Sequence, residues 1–255
     1  MPVNTLTTLL LGDVYAQPGC RAVFLKLKSL IKDRRADFTI INGENAFGGF
    51  GLSVQNMQLL FECGADVITS GNHIWHQDEI YPMLDSQSCL LRPANYSNLV
   101  PGHGLAVKNN VAVINLQGRK DMPQTEDPFK WASDLVSKAG TKNIFVDFHA
   151  ESSEEKEALA FFLDGKITAL VGTHVHVQTM DERILPGGTA YITDLGMCGC
   201  MDSVIGSSSE VSIRRQLTQL PLKAVPAEGE GVLQGVCVVS DAKTGRALEI
   251  ERFTV

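Results

Sequence analysis

Apolar runs in this chain stop, one after another, on residues with chelating side chains. Leu9-Leu10-Leu11 ends at Gly12-Asp13, and Phe38-Thr39-Ile40-Ile41 ends at Asn42-Gly43-Glu44-Asn45. Val67-Ile68-Thr69-Ser70 ends at Gly71-Asn72-His73. Ile144-Phe145-Val146-Asp147-Phe148 ends at His149, and Ala169-Leu170-Val171 ends at Gly172-Thr173-His174-Val175-His176. Short apolar runs bounded by turn residues read as buried strands. In an open α/β sheet, ligands gather outside the carboxyl ends of the strands. One sheet edge is therefore expected to bring together Asp13, Glu44, Asn45, Asn72, His149, His174 and His176, a metal site for two ions.

Helical spacing fills the intervals. After Pro18-Gly19, residues Val23, Phe24, Leu27, Leu30 and Ile31 recur on a helical period. Ser53 is placed to cap a helix carrying Val54, Met57, Leu60 and Phe61. Further helices are expected over Asp78–Leu84, Pro128–Ala139 and Glu151–Leu163, with a strand over Val111–Leu116. This alternation implies βαβ units. The last third differs. Pro186-Gly187-Gly188-Thr189 reads as the turn of a hairpin, and Gly231–Ser240 with Ala247–Phe253 as a second antiparallel pair. Those strands point to a second sheet packed on the first. Residues 197–230 are Gly- and Ser-rich and are expected to form a flap over the site. With no repeat or linker, one domain spanning 1–255 is the simplest organisation.

Hydrophobic residues at 44% and charged residues at 20% permit an ordinary core. The net charge of −7 argues against a broad basic surface for duplex nucleic acid or an acidic membrane. A small phosphorylated substrate stays compatible, because bound cations reverse the local sign. Cys20, Cys63, Cys89, Cys198, Cys200 and Cys237 form no CxxC pair and are expected to be reduced thiols. Met1–Thr8 lacks a basic start followed by an apolar stretch, so no signal peptide is expected, and no run approaches a membrane span. The expectation is a soluble cytoplasmic protein.

Singly, each candidate ligand has a structural explanation. Asp13 could cap a helix, Glu44-Asn45 and Asn72-His73 could be polar turns, and His149 a satisfied core histidine. His174 and His176, two apart in an extended segment, would project to one side. Asp147 and Glu151 flank His149 and suit the carboxylates that orient a metal-bound imidazole. Five coincidences at strand ends outweigh the separate explanations. Hydrolase elbows of the Gly-x-Ser-x-Gly type, phosphate loops and His-Glu-x-x-His are absent, and Gly48–Gly51 is too loose for a nucleotide loop.

The order Asp13, Gly43-Glu44-Asn45, Gly71-Asn72-His73, His149 and Gly172-Thr173-His174-Val175-His176 resembles the calcineurin-like metallophosphoesterases. More narrowly, the chain resembles the YmdB-type bacterial phosphodiesterases over nearly its whole length. Arg92-Pro93-Ala94-Asn95, Asn115–Arg119 and Gly188–Asp194 add to the similarity. The general superfamily has Asp-x-His first, where this chain has Asp13-Val14-Tyr15; YmdB-type proteins share that departure. Gly196-Met197-Cys198-Gly199-Cys200 replaces the family's Gly-Met-Thr-Gly-Pro and touches only the pocket rim, with Cys198 and Cys200 readable as a redox or metal pair or, more simply, as two small loop residues.

The resemblance implies an α/β fold of two packed mixed β-sheets flanked by helices, an α/β/β/α sandwich. It implies one metal on Asp13, Glu44, Asn45 and His176, and another on Glu44, Asn72, His149 and His174. It favours iron; the N and O donors also suit manganese or zinc. It favours cyclic nucleotide phosphodiesters, particularly 2′,3′-cyclic monophosphates. Two cations about 3.5–4 Å apart would share a hydroxide that attacks phosphorus. His73, beside a ligand without being one, is the candidate general acid, and His76, Arg92 and Arg119 are candidate phosphate contacts or ordinary salt-bridge residues. The alternatives are a phosphatase for monoesters or phosphoproteins, and a regulatory protein with a metal site. A homo-oligomer is compatible.

Overall fold

The computed structural model describes residues 4–255. Of the segment Met1–Thr8, in which no signal peptide is expected, Met1–Val3 lie outside the described residues. Strand β1 (Thr5–Leu11) runs through Gly12 into the short β2 (Asp13–Val14) and then helix α1 (Ala16–Arg34). On α1, Val23, Leu27 and Leu30 are buried, but Phe24 is 62% exposed. Phe24 lies one residue round from the Val23–Leu27 stripe, at the border of the buried face. β3 (Phe38–Asn42) precedes α2 (Val54–Cys63), whose cap is Ser53 as expected, accepting from the Asn56 backbone N–H at 3.0 Å. After β4 (Val67–Thr69), the helix expected over 78–84 is split into a tight 3-10 turn, Asp78–Ile80, and α3 (Tyr81–Ser86). Pro82 lacks the N–H that would continue an α-helical ladder back to Asp78.

β5 (Leu105–Lys108) and β6 (Val111–Gln117) are followed by α4 (Pro128–Lys138), capped by Asp127. β7 (Asn143–His149) leads to α5 (Ser153–Leu163), which starts after its cap Ser152. Then come β8 (Ala169–Thr173), the predicted hairpin β9 (Arg183–Ile184) and β10 (Ala190–Ile192), and β11 (Met197–Cys200). α6 (Ser209–Thr218), β12 (Gly231–Val232), β13 (Gln234–Asp241) and β14 (Ala247–Thr254) complete the chain.

Two mixed sheets result, ordered β14-β13-β1-β3-β4 and β5-β6-β7-β8-β10-β9, with a small third sheet β12-β11-β2. The late antiparallel strands do not build a sheet of their own. β13 pairs along the whole of β1, Thr5↔Asp241 to Leu11↔Gly235. A buried run such as β1 cannot leave one edge of its backbone unpaired. The division between the sheets falls between β4 and β5. The five donor-bearing strand ends are accordingly shared, with β1, β3 and β4 in one sheet and β7 and β8 in the other.

Alternation along each strand makes the layers. Leu9, Leu11 and Ile41 pack with α1 and α2; Ile144, Val146 and Phe148 pack with α4 and α5. Leu10, Ile40, Val67, Phe145 and Val171 meet between the sheets. The fold is an α/β/β/α sandwich. The inward face turns polar at the carboxyl ends, where Asn42, Thr69, Asn115, Asp147, His149 and Thr173 are all buried.

One buried ion pair fixes the crossover beside that end. Lys156 of α5 and Asp194 after β10 are both buried, with Nζ and Oδ2 2.8 Å apart. Asp194 also accepts the backbone N–H groups of Val175 and Gly196 at 3.1 and 2.9 Å. Gly172 gives the lysine stem room, since a Cβ there would stand 2.8 Å from its Cδ. Removing one member of such a pair strands the other charge. Lys156→Ala is therefore expected to cost about 3–5 kcal/mol, read as a fall in the urea midpoint. An unchanged midpoint would overturn the stabilising role of this pair.

Candidate metal centre

The seven sequence-selected residues sit at the carboxyl ends of β1, β3, β4, β7 and β8, across the seam between the sheets. Gly12 lets Asp13 through, because a Cβ there would collide with the Gly196 carbonyl. Asp13 is fully buried; its Oδ2 accepts the His174 backbone N–H at 3.1 Å, and its Oδ1 accepts the Asn45 amide at 3.4 Å. Burial pushes its pKa up, against the pull of His176 and His149. Glu44 is also fully buried. Its Oε1 is 3.0 Å from His149 Nε2 and accepts from Asn45 Nδ2 at 3.2 Å, while Oε2 accepts the His73 backbone N–H at 3.2 Å.

His149 Nε2 is the crowded atom. It lies 3.0 Å from Glu44 Oε1, 3.0 Å from His174 Nδ1 and 3.2 Å from Asn72 Oδ1. Burial depresses the His149 pKa to about 4 and the His174 pKa to about 3, so both rings are neutral at pH 7. One proton at most is shared among several facing lone pairs. Ligand atoms of Glu44, His149 and His174 lie within 4.8 Å of one another. Gly71 keeps this cradle open, because a Cβ there would strike Glu44 Oε2 and His149 Nε2. A donor set of imidazole and carboxylate facing an open cradle fits a cation.

The other half is satisfied differently. His176 Nε2 is 3.1 Å from Asn45 Nδ2 and 3.8 Å from Asp13 Oδ1. The Asn45 amide nitrogen thus faces Asp13, Glu44 and His176 at once. A half-turn of that amide would present its oxygen instead.

A profile of the YmdB-like protein family matches residues 9–253. The chain belongs to the YmdB-like family. It is 46% identical over 253 residues to a Bacillus subtilis (strain 168) protein named 2′,3′-cyclic-nucleotide 2′-phosphodiesterase, covering 97% of this chain and 96% of that one. A crystal structure of a hypothetical protein from Thermus thermophilus is 38% identical, with a TM-score of 0.92 over 98% of this chain and 99% of that one. A Mycoplasma pneumoniae crystal structure described as a novel phosphatase is 34% identical, with a TM-score of 0.93 over 100% of this chain and 94% of that one.

His174 and His176 are not on an extended segment. Their φ values are 103° and 67°, a left-handed backbone rare for residues with a Cβ. The turn splits the pair, sending His174 to His149 and His176 to Asn45. The bonds from Asp13 and Asp194 to the His174 and Val175 N–H groups hold it there. The carboxylates flanking His149 do not touch it as expected. Glu151 Oε2 lies 3.2 Å from His174 Nε2. Asp147 reaches His149 only through Thr173, whose hydroxyl donates to Asp147 Oδ1 at 2.7 Å and stands 2.9 Å from His149 Nδ1. Thr69 and Asn42 also donate to Asp147. Burial drives the Asp147 pKa up to about 7 against those bonds.

Arg92 is buried and donates to the carbonyls of Pro93, Ala94 and Pro101, a clasp rather than a phosphate contact. Arg119 lies 3.6 Å from Asp127 and 3.9 Å from Glu155. His73 Nδ1 is buried without a partner, and its ring packs edge-on against Phe50 and His76 at 5.0 and 4.8 Å. Burial lowers its pKa. Cys198 and Cys200 are not loop residues but lie in buried β11, with Cys198 pushed up to about 12 by burial. All six cysteines are free. Of the stretch 197–230, Ile205 touches the site, its carbonyl accepting from His176 Nδ1 at 3.0 Å, and Ser207 bonds Tyr15, whose ring packs edge-on against His176, at 3.1 Å.

The histidine shifts set an acid limit for the metal-free chain. His149 and His174 titrate near 4 and 3 when folded but near 6.5 when unfolded, so the unfolded chain takes up protons first as pH falls below 6.5. His73, also lowered by burial, adds to this loss, while Asp147, raised to about 7, and Asp13, also raised by burial, oppose it. Three groups outweigh two. The urea midpoint in chelator is expected to fall between pH 7 and pH 5; a rising midpoint would mean that the two aspartates dominate.

Proposed function

We propose that this YmdB-like protein is a two-metal phosphodiesterase for cyclic nucleotides, with 2′,3′-cyclic nucleoside monophosphates the favoured substrates. The observation that carries this reading is the meeting of Glu44, His149 and His174 donor atoms within 4.8 Å in a pocket that keeps both imidazoles unprotonated. The name of the Bacillus relative supports the substrate class.

Asp13, Glu44, Asn45 and His176 would hold one cation, and Glu44, Asn72, His149 and His174 the other. When bound, such a pair supplies acidity to water and neutralises phosphoryl charge. The N and O donors suit iron, manganese or zinc, and the family resemblance favours iron. Thr173 and Asp147 hold the His149 ring so that Nε2 keeps its lone pair inward. His73 supplies the proton that the departing ribose oxygen needs when the P–O bond breaks. No Nδ1 partner ties its proton down, and a phosphodiester anion beside it raises the affinity of the ring for that proton.

Among the described residues no helix is long and apolar enough to cross a membrane. A cytoplasmic setting accords with the free thiols, and the proposal includes a single domain, a homo-oligomer as a compatible state, and the flap expected over 197–230 cut back to 201–230 because Met197–Cys200 form β11. The description of the Mycoplasma structure favours a second reading, a phosphomonoesterase. Anaerobic purification with metal quantification, then matched cyclic diesters, linear diesters and monoesters, separates the two. Two metals and turnover of cyclic diesters are expected. Turnover of monoesters alone would replace this reading with the second.

A further inference from the structure

Beside His73 the chain presents an aromatic pocket that catalysis of P–O cleavage does not require. The loop after Asn45 is closed by backbone bonds, Phe47 N–H to the Gly51 carbonyl at 2.9 Å and Phe50 N–H to the Phe47 carbonyl at 3.0 Å. Gly49 and Gly51 have φ of 89° and 86°, and a Cβ at either would crowd Tyr15 or Gln77. The loop is therefore pinned, and it holds Phe47 48% exposed. A fixed, exposed aromatic ring at a cavity mouth is preorganised for a flat ligand.

The cavity has a volume of about 420 Å³ and is lined by Phe47, Gly48, Phe50, His76, Gln77 and Lys223. That is within the range of small-molecule sites. It adjoins the centre through His73, whose ring touches both Phe50 and His76 and whose backbone N–H bonds Glu44. Gln77 is fixed by its bond to the Phe50 carbonyl at 3.2 Å. Lys223 comes from the stretch that the sequence singled out as a flap, and brings a positive charge to the wall. A second, larger cavity shares Phe47 and Gly48 but has neither His76 nor Phe50 in its wall.

We propose that the Phe47–Phe50–His76–Lys223 pocket is the subsite for the nucleoside of the substrate, with the base stacked on Phe47. This rests on the phosphodiesterase reading and names what selects a nucleotide over a bare phosphodiester. Bases stack on aromatic side chains whatever their identity, so the subsite selects for a base without selecting which. Lys223 offers its charge to the substrate anion, and it is through this side chain that the stretch 201–230 contributes to the pocket wall.

The test compares 2′,3′-cyclic AMP with ethylene phosphate, a cyclic diester without a nucleoside. In Phe47→Ala the ratio of kcat/KM for the nucleotide over ethylene phosphate is expected to fall by about tenfold or more, through KM, with metal content held. Phe47→Trp is expected to restore the ratio. A parallel calorimetric titration with 3′-AMP and with inorganic phosphate reads the subsite without turnover, and Phe47→Ala should weaken 3′-AMP alone. Wild-type protein that cleaves neither diester yet binds 3′-AMP through Phe47 overturns the activity and keeps the subsite. Wild-type protein that cleaves both while Phe47→Ala leaves the ratio and the titrations unchanged overturns the subsite and keeps the activity.

Discussion

Glu44→Ala is expected to retain fewer than two tightly held metals and to lose about a thousandfold or more in turnover. Its carboxylate reaches both halves of the centre, 3.0 Å from His149 Nε2 and 3.2 Å from Asn45 Nδ2. Losing it removes a negative charge from a fully buried position and leaves the His73 backbone N–H without its acceptor. Cations at such a centre contribute several kcal/mol to the transition state, and each ~1.4 kcal/mol is tenfold in rate. Elemental analysis of the purified variant is the direct check, and two tightly held metals there would refute the bridging role. Glu44→Gln keeps the shape of the side chain, so metal loss in both variants assigns the effect to charge rather than to a collapsed cavity.

His73→Ala should behave in the opposite way on metals and similarly on rate. The imidazole faces Phe50 and His76 and contributes only its backbone N–H to Glu44. Both metals are therefore expected to stay, while turnover of an alkoxide-releasing substrate falls about 10²–10⁴-fold, the scale of a positioned proton donor. A substrate with a p-nitrophenolate leaving group needs no such proton, and the deficit should largely vanish on it. Undiminished turnover of a poor-leaving-group diester would take His73 out of the acid role.

The donor positions were readable because each apolar run ends abruptly, and strand ends in α/β folds are where ligands collect. Asp13, Glu44, Asn45, Asn72 and the three histidines needed no tertiary information to be picked out. The sheet boundary did need it. Nothing in the apolar pattern of β13 says that it zips onto β1 across most of the chain. Lys156 was hidden for a similar reason. It stands in Ser-Glu-Glu-Lys-Glu-Ala, a stretch that reads as a solvated helix face, and only the docking of α5 on Asp194 buries it. Thr69, Thr173 and Asn42 left a fainter trace, as polar residues on strand faces that are otherwise apolar. Their convergence on Asp147 depends on registers between strands, Asn42↔Thr69 in one sheet and His149↔Thr173 in the other. The left-handed turn at His174 and His176 has no signature in residue type, since neither position is glycine.

Because β1, β3 and β4 lie in one sheet and β7 and β8 in the other, anything gripped between Glu44 and His149 is a rivet through both plates of the sandwich. Occupancy and resistance to unfolding are then linked: the tighter the grip, the harder the plates are to pry apart.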